Sequence, residues 1–315
     1  PVLHVSGTFD GDGVGTQIHW QTLRAANKKN QWLIFGPWEH AFNTKDEFGG
    51  EKFGSQSILE LNSVYLRFFD TFLKDKQVNW DSQPKVRFFA TGSNKWILAN
   101  DWPLPEAKQV KFYLGKGNAK QAKASLTGTP PPASKDSYLY NPNKHGKDKK
   151  SISVAESDTS VTLEQLKADG LVYRTEPMME PTTYAGTAQV HLEFSTTAKD
   201  ASFYAILFDE DPNGKLRVIA MPGKQRATYI NEKYQILTPN KPYSVTVEPW
   251  WFCRTFKKGH RLVLFVTSDS FPGYARNPGT GERIARATKL INATHTIYKG
   301  GDKASFLRLW KLPNP

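Results

Sequence analysis

The sequence predicts an α/β unit followed by an antiparallel β-sandwich. Two observations carry this. Residues 1–80 alternate short apolar runs with helical patterns, whereas from Lys85 onward strand-like runs follow one another between Gly, Pro, Asn and Asp turns. At 315 residues the chain is long enough for two separate cores, and no internal repeat is visible. The expected division is an α/β unit over 1–84 and a sandwich over 85–315.

The first unit opens on the apolar run Val2 to Phe9, which leads into Asp10. Gly11, Gly13 and Gly15 make the turn that follows. Thr16 is placed to cap a helix of about four turns, with Ile18, Trp20, Leu23 and Ala26 on its apolar side and Lys28-Lys29-Asn30 at its end. The strand Gln31 to Phe35 then leads into Gly36-Pro37-Trp38-Glu39-His40. A β-α-β order implies parallel strands joined by a right-handed crossover. Asp10 and His40 are therefore expected at one carboxyl edge of the sheet, where open α/β sheets bind ligands. From Ser57 to Lys76, Leu61, Val64, Tyr65, Phe68 and Phe72 fall on one helical stripe, read as core packing. The polar segment Gln77 to Pro84 ends the helical region.

Seven runs define the sandwich: Val86–Ala90, Val110–Leu114, Ala188–Phe194, Phe203–Phe208, Tyr243–Val247, Arg261–Val266 and Ser305–Leu309. Between them, Gly115 to Ser160 is rich in Lys, Pro, Ser and Gly and reads as a surface excursion, with Tyr138-Leu139-Tyr140 docking it on the sandwich. Asp209-Glu210-Asp211-Pro212-Asn213-Gly214 has the acidic spacing of a calcium loop, but its twelfth position is Ala220, so a hairpin turn is expected.

Composition narrows the function classes. Hydrophobic residues at 38% and charged residues at 23% mark a folded, not a disordered, protein. No apolar run approaches the ~20 residues that span a bilayer. The formal charge of +12 invites a nucleic-acid reading. The lysines are nevertheless scattered, and the densest group, Lys144 to Lys150, is flanked by loop-forming residues. No nucleic-acid partner is expected; the basic surface suits anionic substrates or an anionic cell envelope. Cys253 is the only cysteine, which excludes an intrachain disulfide, and its Trp250-Trp251-Phe252 setting is that of a buried inert thiol. No metal-ligand spacing is recognised and no cofactor is expected. The compartment stays open between cytoplasm and export from a bacterial cell.

The chemistry lies in Asp10 and His40. An acid and a base at successive strand ends suit a Ser-His-Asp device, in which a carboxylate fixes the imidazole tautomer. The plainer reading makes Asp10 a turn cap and His40 the start of a loop. No Gly-x-Ser-x-Gly elbow occurs in the chain. Ser6, Ser55, Ser57 and Ser93 lack that context, so the nucleophile is not assigned. Beginning at Pro1, the chain is read as the C-terminal portion of a hydrolase, with the N-terminal part of the same enzyme as its expected partner.

Gly36-Pro37-Trp38-Glu39-His40 resembles the histidine motif of the CocE/NonD family of serine hydrolases, a group of cocaine esterases, glutaryl-cephalosporin acylases, α-amino acid ester hydrolases and X-Pro dipeptidyl-peptidases. Further matches run in order: Phe68-Phe69-Asp70-Thr71-Phe72-Leu73-Lys74, Val86 to Gly92 with Trp96, Asp101-Trp102-Pro103, Tyr184-Ala185-Gly186-Thr187, Gly259-His260-Arg261-Leu262, and Phe271 to Asn277. The resemblance implies the C-terminal part of an α/β-hydrolase domain followed by a jelly-roll β-sandwich. It implies Asp10 as triad acid, His40 as triad base, and a small-molecule ester or amide substrate. Asp12 is either a substrate-binding carboxylate or a turn aspartate among glycines. The rival reading is a non-catalytic binding or assembly module. In it Trp96, Trp102, Trp250 and Trp251 line a carbohydrate site instead of packing in cores. An unpaired sheet edge would favour association, a homo-oligomer included.

Overall fold

A computed structural model of the chain describes residues 1–41, 43–144, 161–230 and 233–313. The first part comprises β1 (Val2–Gly7), α1 (Gly13–Ala25), β2 (Gln31–Gly36), the two-residue strands β3 (Glu47–Phe48) and β4 (Glu51–Lys52), α2 (Leu61–Lys74), β5 (Val86–Ala90) and β6 (Lys95–Ala99). Its main sheet runs β1-β2-β5-β6. The first three strands are parallel and β5–β6 is an antiparallel hairpin. Every residue of β2 is buried, because successive side chains meet different layers. Leu33 and Phe35 join Trp20 of α1, Phe88, Trp102 and Trp251. Trp32 and Ile34 face the other way, onto Phe68, Trp80, Trp38 and Leu61.

The two helices meet expectation unequally. The α2 stripe is inward as read: Leu61 and Phe68 are buried, with Val64, Tyr65 and Phe72 packed beside them. Helix α1 starts at Gly13, three residues before Thr16, and buries Gly13, Gln17 and Trp20, while Ile18 and Ala26 are exposed. The close approach of Gly13 to β1 sets that face. A Cβ there would lie 3.2 Å from both the Gly7 carbonyl and the Ser6 hydroxyl, and the positions four and seven residues on share its side of the helix.

The division expected after residue 84 does not follow the strands. Val86–Ala90 pairs in parallel with β2, Leu33 opposite Val86, so the first sheet continues through Ala99. Val86, Phe88 and Ala90 fill the same cluster as Leu33 and Phe35, which is burial that a doubly covered parallel strand requires.

The second part holds β7 (Lys108–Leu114), β8 (Ala124–Thr127), β9 (Ser134–Tyr140), α3 (Leu163–Asp169), β10 (Gly170–Arg174), β11 (Thr182–Gly186), β12 (Gln189–Thr196), β13 (Ser202–Glu210), β14 (Leu216–Val218) and β15 (Gly223–Arg226). A small pair, β16 (Tyr229–Ile230) and β17 (Lys233–Tyr234), precedes β18 (Tyr243–Val247), β19 (Phe252–Phe256), β20 (Arg261–Thr267), β21 (Ala293–Lys299) and β22 (Phe306–Lys311). Fourteen strands form one ladder, β14-β13-β20-β10-β8-β7-β22-β12-β21-β9, with β11, β15, β18 and β19 alongside. Alternate residues from its two ends meet in one apolar cluster, among them Leu207 and Leu264 from one side and Leu192, Ile297 and Leu309 from the other. The ladder therefore folds over into two facing layers.

The segment read as a surface excursion contributes β8 and β9 to this ladder. Ala124 and Leu126 point inward in alternation, and Tyr138 and Tyr140 are buried while Leu139 is exposed. Lysine and serine at the outward positions gave the stretch its loop-like composition. Residues 145–160, including most of the lysine group, lie outside the described residues. Within the Asp209 to Gly214 segment, Asp209 and Glu210 end β13 and Asp211 to Gly214 make the expected hairpin turn to β14.

Strand β13 is buried at all nine positions because a second layer covers its outer face. There Ile206, Phe208, Val172, Val263 and Phe265 pack against Phe9, Phe48, Phe53 and Phe89 of the first part. Backbone bonds close the seam: Thr91 donates to the Cys253 carbonyl at 3.0 Å, and Thr255 donates to that of Thr91 at 2.9 Å. Among the described residues no helix is long and apolar enough to cross a membrane.

Candidate functional site

Strands β1 and β2 end side by side, Gly7 opposite Gly36. Both glycines are required by Trp38. A Cβ on Gly36 would lie 2.3 Å from two carbons of its indole, and one on Gly7 would lie 2.2 Å from its carbonyl oxygen. Trp38 is buried and its Nε1 donates to the Ser57 carbonyl at 2.9 Å. The chain after β2 therefore folds back over the end of β1. Thr8 donates to the Gly36 carbonyl at 2.8 Å and Phe9 to that of Trp38 at 3.0 Å. This turn brings the residues that follow each strand, Asp10 and His40, together.

His40 Nδ1 stands 3.1 Å from Asp10 Oδ1. The side chain of Asp10 is only 8% exposed, and its carboxylate is held by two further donors, the Asp12 backbone N–H to Oδ1 at 3.0 Å and the Ser6 hydroxyl to Oδ2 at 3.1 Å. Asp12 Oδ2 lies 3.4 Å from the same His40 nitrogen. The hydrogen bond with Asp10 raises the pKa of His40, and the charges of Asp10 and then Asp12 add to it. With two carboxylates on Nδ1, the neutral ring keeps its proton there, and the lone pair of Nε2 is available to accept another. The imidazole is 77% exposed, so Nε2 can be reached.

The structure thus unites Asp10, His40 and Asp12. Of the serines without elbow context, Ser6 donates to Asp10, Ser57 to the Gly54 carbonyl and Ser93 to that of Ala90; none of the three is bonded to the imidazole. Asp10, Asp12 and His40 also offer three metal-ligand atoms within 4.8 Å of one another, a convergence that sequence spacing did not indicate. The shared atom is Nδ1, and its proton already faces both carboxylates. Trp102 and Trp251 are fully buried with rings 5.8 Å apart in the seam, so they pack and cannot line an open carbohydrate site.

A second polar cluster escaped the sequence reading. Arg254 of β19, 3% exposed, donates through Nε and Nη2 to Asp209 Oδ2 at 2.9 and 2.6 Å. Its Nη1 donates to both oxygens of Glu51 at 2.8 and 2.7 Å. His260 Nδ1 is 2.7 Å from Asp209 Oδ1. Glu51, Arg254 and His260 line a cleft of about 380 Å³ between the two parts, with Asp209 buried behind them. Their positions in the chain share no spacing, so nothing local announces them.

Residues 78–308 match the family model of the X-Pro dipeptidyl-peptidase C-terminal non-catalytic domain. Over 330 aligned residues the chain is 29% identical to cocaine esterase of Rhodococcus sp. (strain MB1 Bresler), covering 98% of this chain and 56% of that protein. The fold superposes on an aminopeptidase from the marine sediment archaeon Thaumarchaeota archaeon with a TM-score of 0.85 at 25% identity, covering 99% of this chain and 55% of the other. It superposes on an α-amino acid ester hydrolase with a TM-score of 0.83 at 25% identity, covering 98% and 55%. The chain spans about half the length of the relatives it matches. Asp10 and His40 precede the matched range, so the non-catalytic description does not extend to them. The chain belongs to the family of the X-Pro dipeptidyl-peptidase C-terminal domain.

Proposed function

We propose that this chain supplies the acid and base of a serine hydrolase that cleaves a small-molecule ester or amide. The observation that carries the reading is the 3.1 Å contact between Asp10 and His40 at the ends of adjacent parallel strands. In this reading residues 1–99 are the C-terminal part of an α/β-hydrolase domain and the large folded-over sheet is a jelly-roll sandwich. His40 Nε2 takes the proton of a serine hydroxyl as it attacks the acyl carbon, and later returns it to the leaving group. Asp10 holds the ring and stabilises the imidazolium. The serine belongs to sequence outside these 315 residues. The lack of an elbow motif and the 56% coverage of cocaine esterase support this. Asp12, 82% exposed beside the base, is placed to meet a cationic group on a substrate.

The test is Asp10→Asn in the enzyme that contains this chain. It should lower kcat about 10⁴-fold, because the wrong imidazole tautomer is then favoured. A change within a few-fold would place the acid elsewhere. A binding or assembly role is the second reading for residues 78–308, favoured by the non-catalytic character of the domain they match. A glycan screen that finds no ligand removes its carbohydrate form.

A further inference from the structure

We propose that Arg254 is a positioning residue for the Asp10–His40 pair, acting from the large sheet through Glu51. The inference rests on the acid–base reading above. His40 sits on the stretch between Trp38 and the β3–β4 hairpin, and its placement depends on how that stretch is anchored. At one end Trp38 is fixed by its buried indole and the bond to Ser57. In the middle, the Asn43 side chain donates to the Leu59 carbonyl at 2.6 Å and accepts from the Leu59 N–H at 2.7 Å. At the far end stands a hairpin of two residues per strand, too short to hold its own position.

Beside the Asn94 amide, which donates to the Lys52 carbonyl at 3.1 Å, two side-chain contacts hold that hairpin. Phe48 stacks on Phe9, the neighbour of Asp10, with ring centroids 4.0 Å apart and planes 9° from parallel. Glu51 takes both its bonds from Arg254. Asp209 holds the other edge of the guanidinium, so Nη1 is presented to the hairpin in one orientation. The backbone of Arg254 is itself paired with Thr91 at the end of β5. One residue of the large sheet therefore fixes the end of the first sheet and the hairpin that braces Phe9. Release of Glu51 would let Phe48 and Phe9 move, and with them the spacing of Asp10 from His40. The charged groups facing His40 are Asp10 and Asp12, with Glu39 and Lys45 3.9 Å apart on the same stretch.

The experiment is nitrogen-edited NMR of the His40 ring in the enzyme that contains this chain, which reads its titration midpoint and its Nδ1–H signal. Glu51→Gln leaves the Arg254–Asp209 pair in place. It should lower the His40 midpoint by on the order of half a pH unit and broaden the Nδ1–H signal, while Glu51→Asp restores both in part. A purely structural tie would change the unfolding temperature and leave the His40 signals as in the parent; that result overturns the proposal. If Glu51→Gln does not fold, Arg254→Lys gives the same decision, since an ammonium keeps the charge at Asp209 but cannot also span Glu51. Asp10→Asn in the same assay separates the two claims. If it fails to move the His40 midpoint, the acid–base reading itself is wrong, whatever Glu51→Gln does.

Discussion

Gly36→Ala is the sharpest perturbation of the turn that brings acid and base together. The added methyl carbon would lie 2.3, 2.3 and 2.5 Å from three carbons of the Trp38 indole, where ordinary contact begins at 3.4 Å. Relief requires the ring to move by about 1.1 Å (3.4 − 2.3). The indole is buried among Ile34, Leu61 and Trp96, so that movement overpacks its surroundings, typically at a cost of about 1–3 kcal/mol. It also draws Nε1 away from the Ser57 carbonyl, now 2.9 Å distant, which costs roughly 1 kcal/mol more. A loss of about 2–4 kcal/mol is expected, or on the order of 3–6 °C in unfolding temperature. Gly15→Ala is the control: its methyl meets nothing within 4 Å and it lies in α1, so it should stabilise by about 0.5–1 kcal/mol. Urea unfolding followed by circular dichroism measures both. If Gly36→Ala is neutral while Gly15→Ala behaves as expected, Trp38 does not pack on Gly36 and the account of the turn fails.

Three further outcomes follow from buried or paired groups. His295 is fully buried, and desolvation lowers its pKa to about 3; its stability contribution is present above 6.5 and is lost as pH falls toward 3. Urea midpoints should therefore fall over that window, and His295→Phe should flatten the fall; an unchanged slope would show that another group sets it. His40 has the opposite sign. Its raised pKa gives stability that is full below 6.5 and is lost as pH rises through the folded value, so Asp10→Asn should remove part of the decline seen on the alkaline side. Identical decline in both proteins would contradict the Asp10–His40 bond. Burial pushes the Cys253 thiol well up, so a disulfide-exchange reagent should react with it only on unfolding; prompt labelling of the native chain would show the β19 seam to be open.

What could be read from sequence was local in origin. Asp10 and His40 each end an apolar run, and a β-α-β order leaves one edge of the sheet for both. The seven strands read from alternation recur within two residues of their observed bounds. The Gly36-Pro37-Trp38 turn is likewise a contact between near neighbours, and it stood out as a motif. What escaped was non-local. Val86–Ala90 has the same local signature whether it continues a parallel sheet or opens the next unit; its partner, β2, lies some fifty residues back. β8 was hidden by Ser125 and Thr127, and β9 by Lys135 and Ser137, on their outward faces. The bond from Arg254 to Glu51 spans 203 residues of chain and involves no apolar pattern at all. The site combines both kinds of contact. Trp38 sets where His40 leaves the sheet, by short-range sterics. Phe9, after the other strand, is held by its backbone bond to Trp38 and by Phe48, whose hairpin is fastened to the large sheet by Glu51 and Arg254. The Trp38 turn ties the two strand ends directly, and the brace through Phe48 lets a domain that carries neither acid nor base adjust the distance between them. A variant such as Glu51→Gln can therefore move that distance without touching Asp10 or His40.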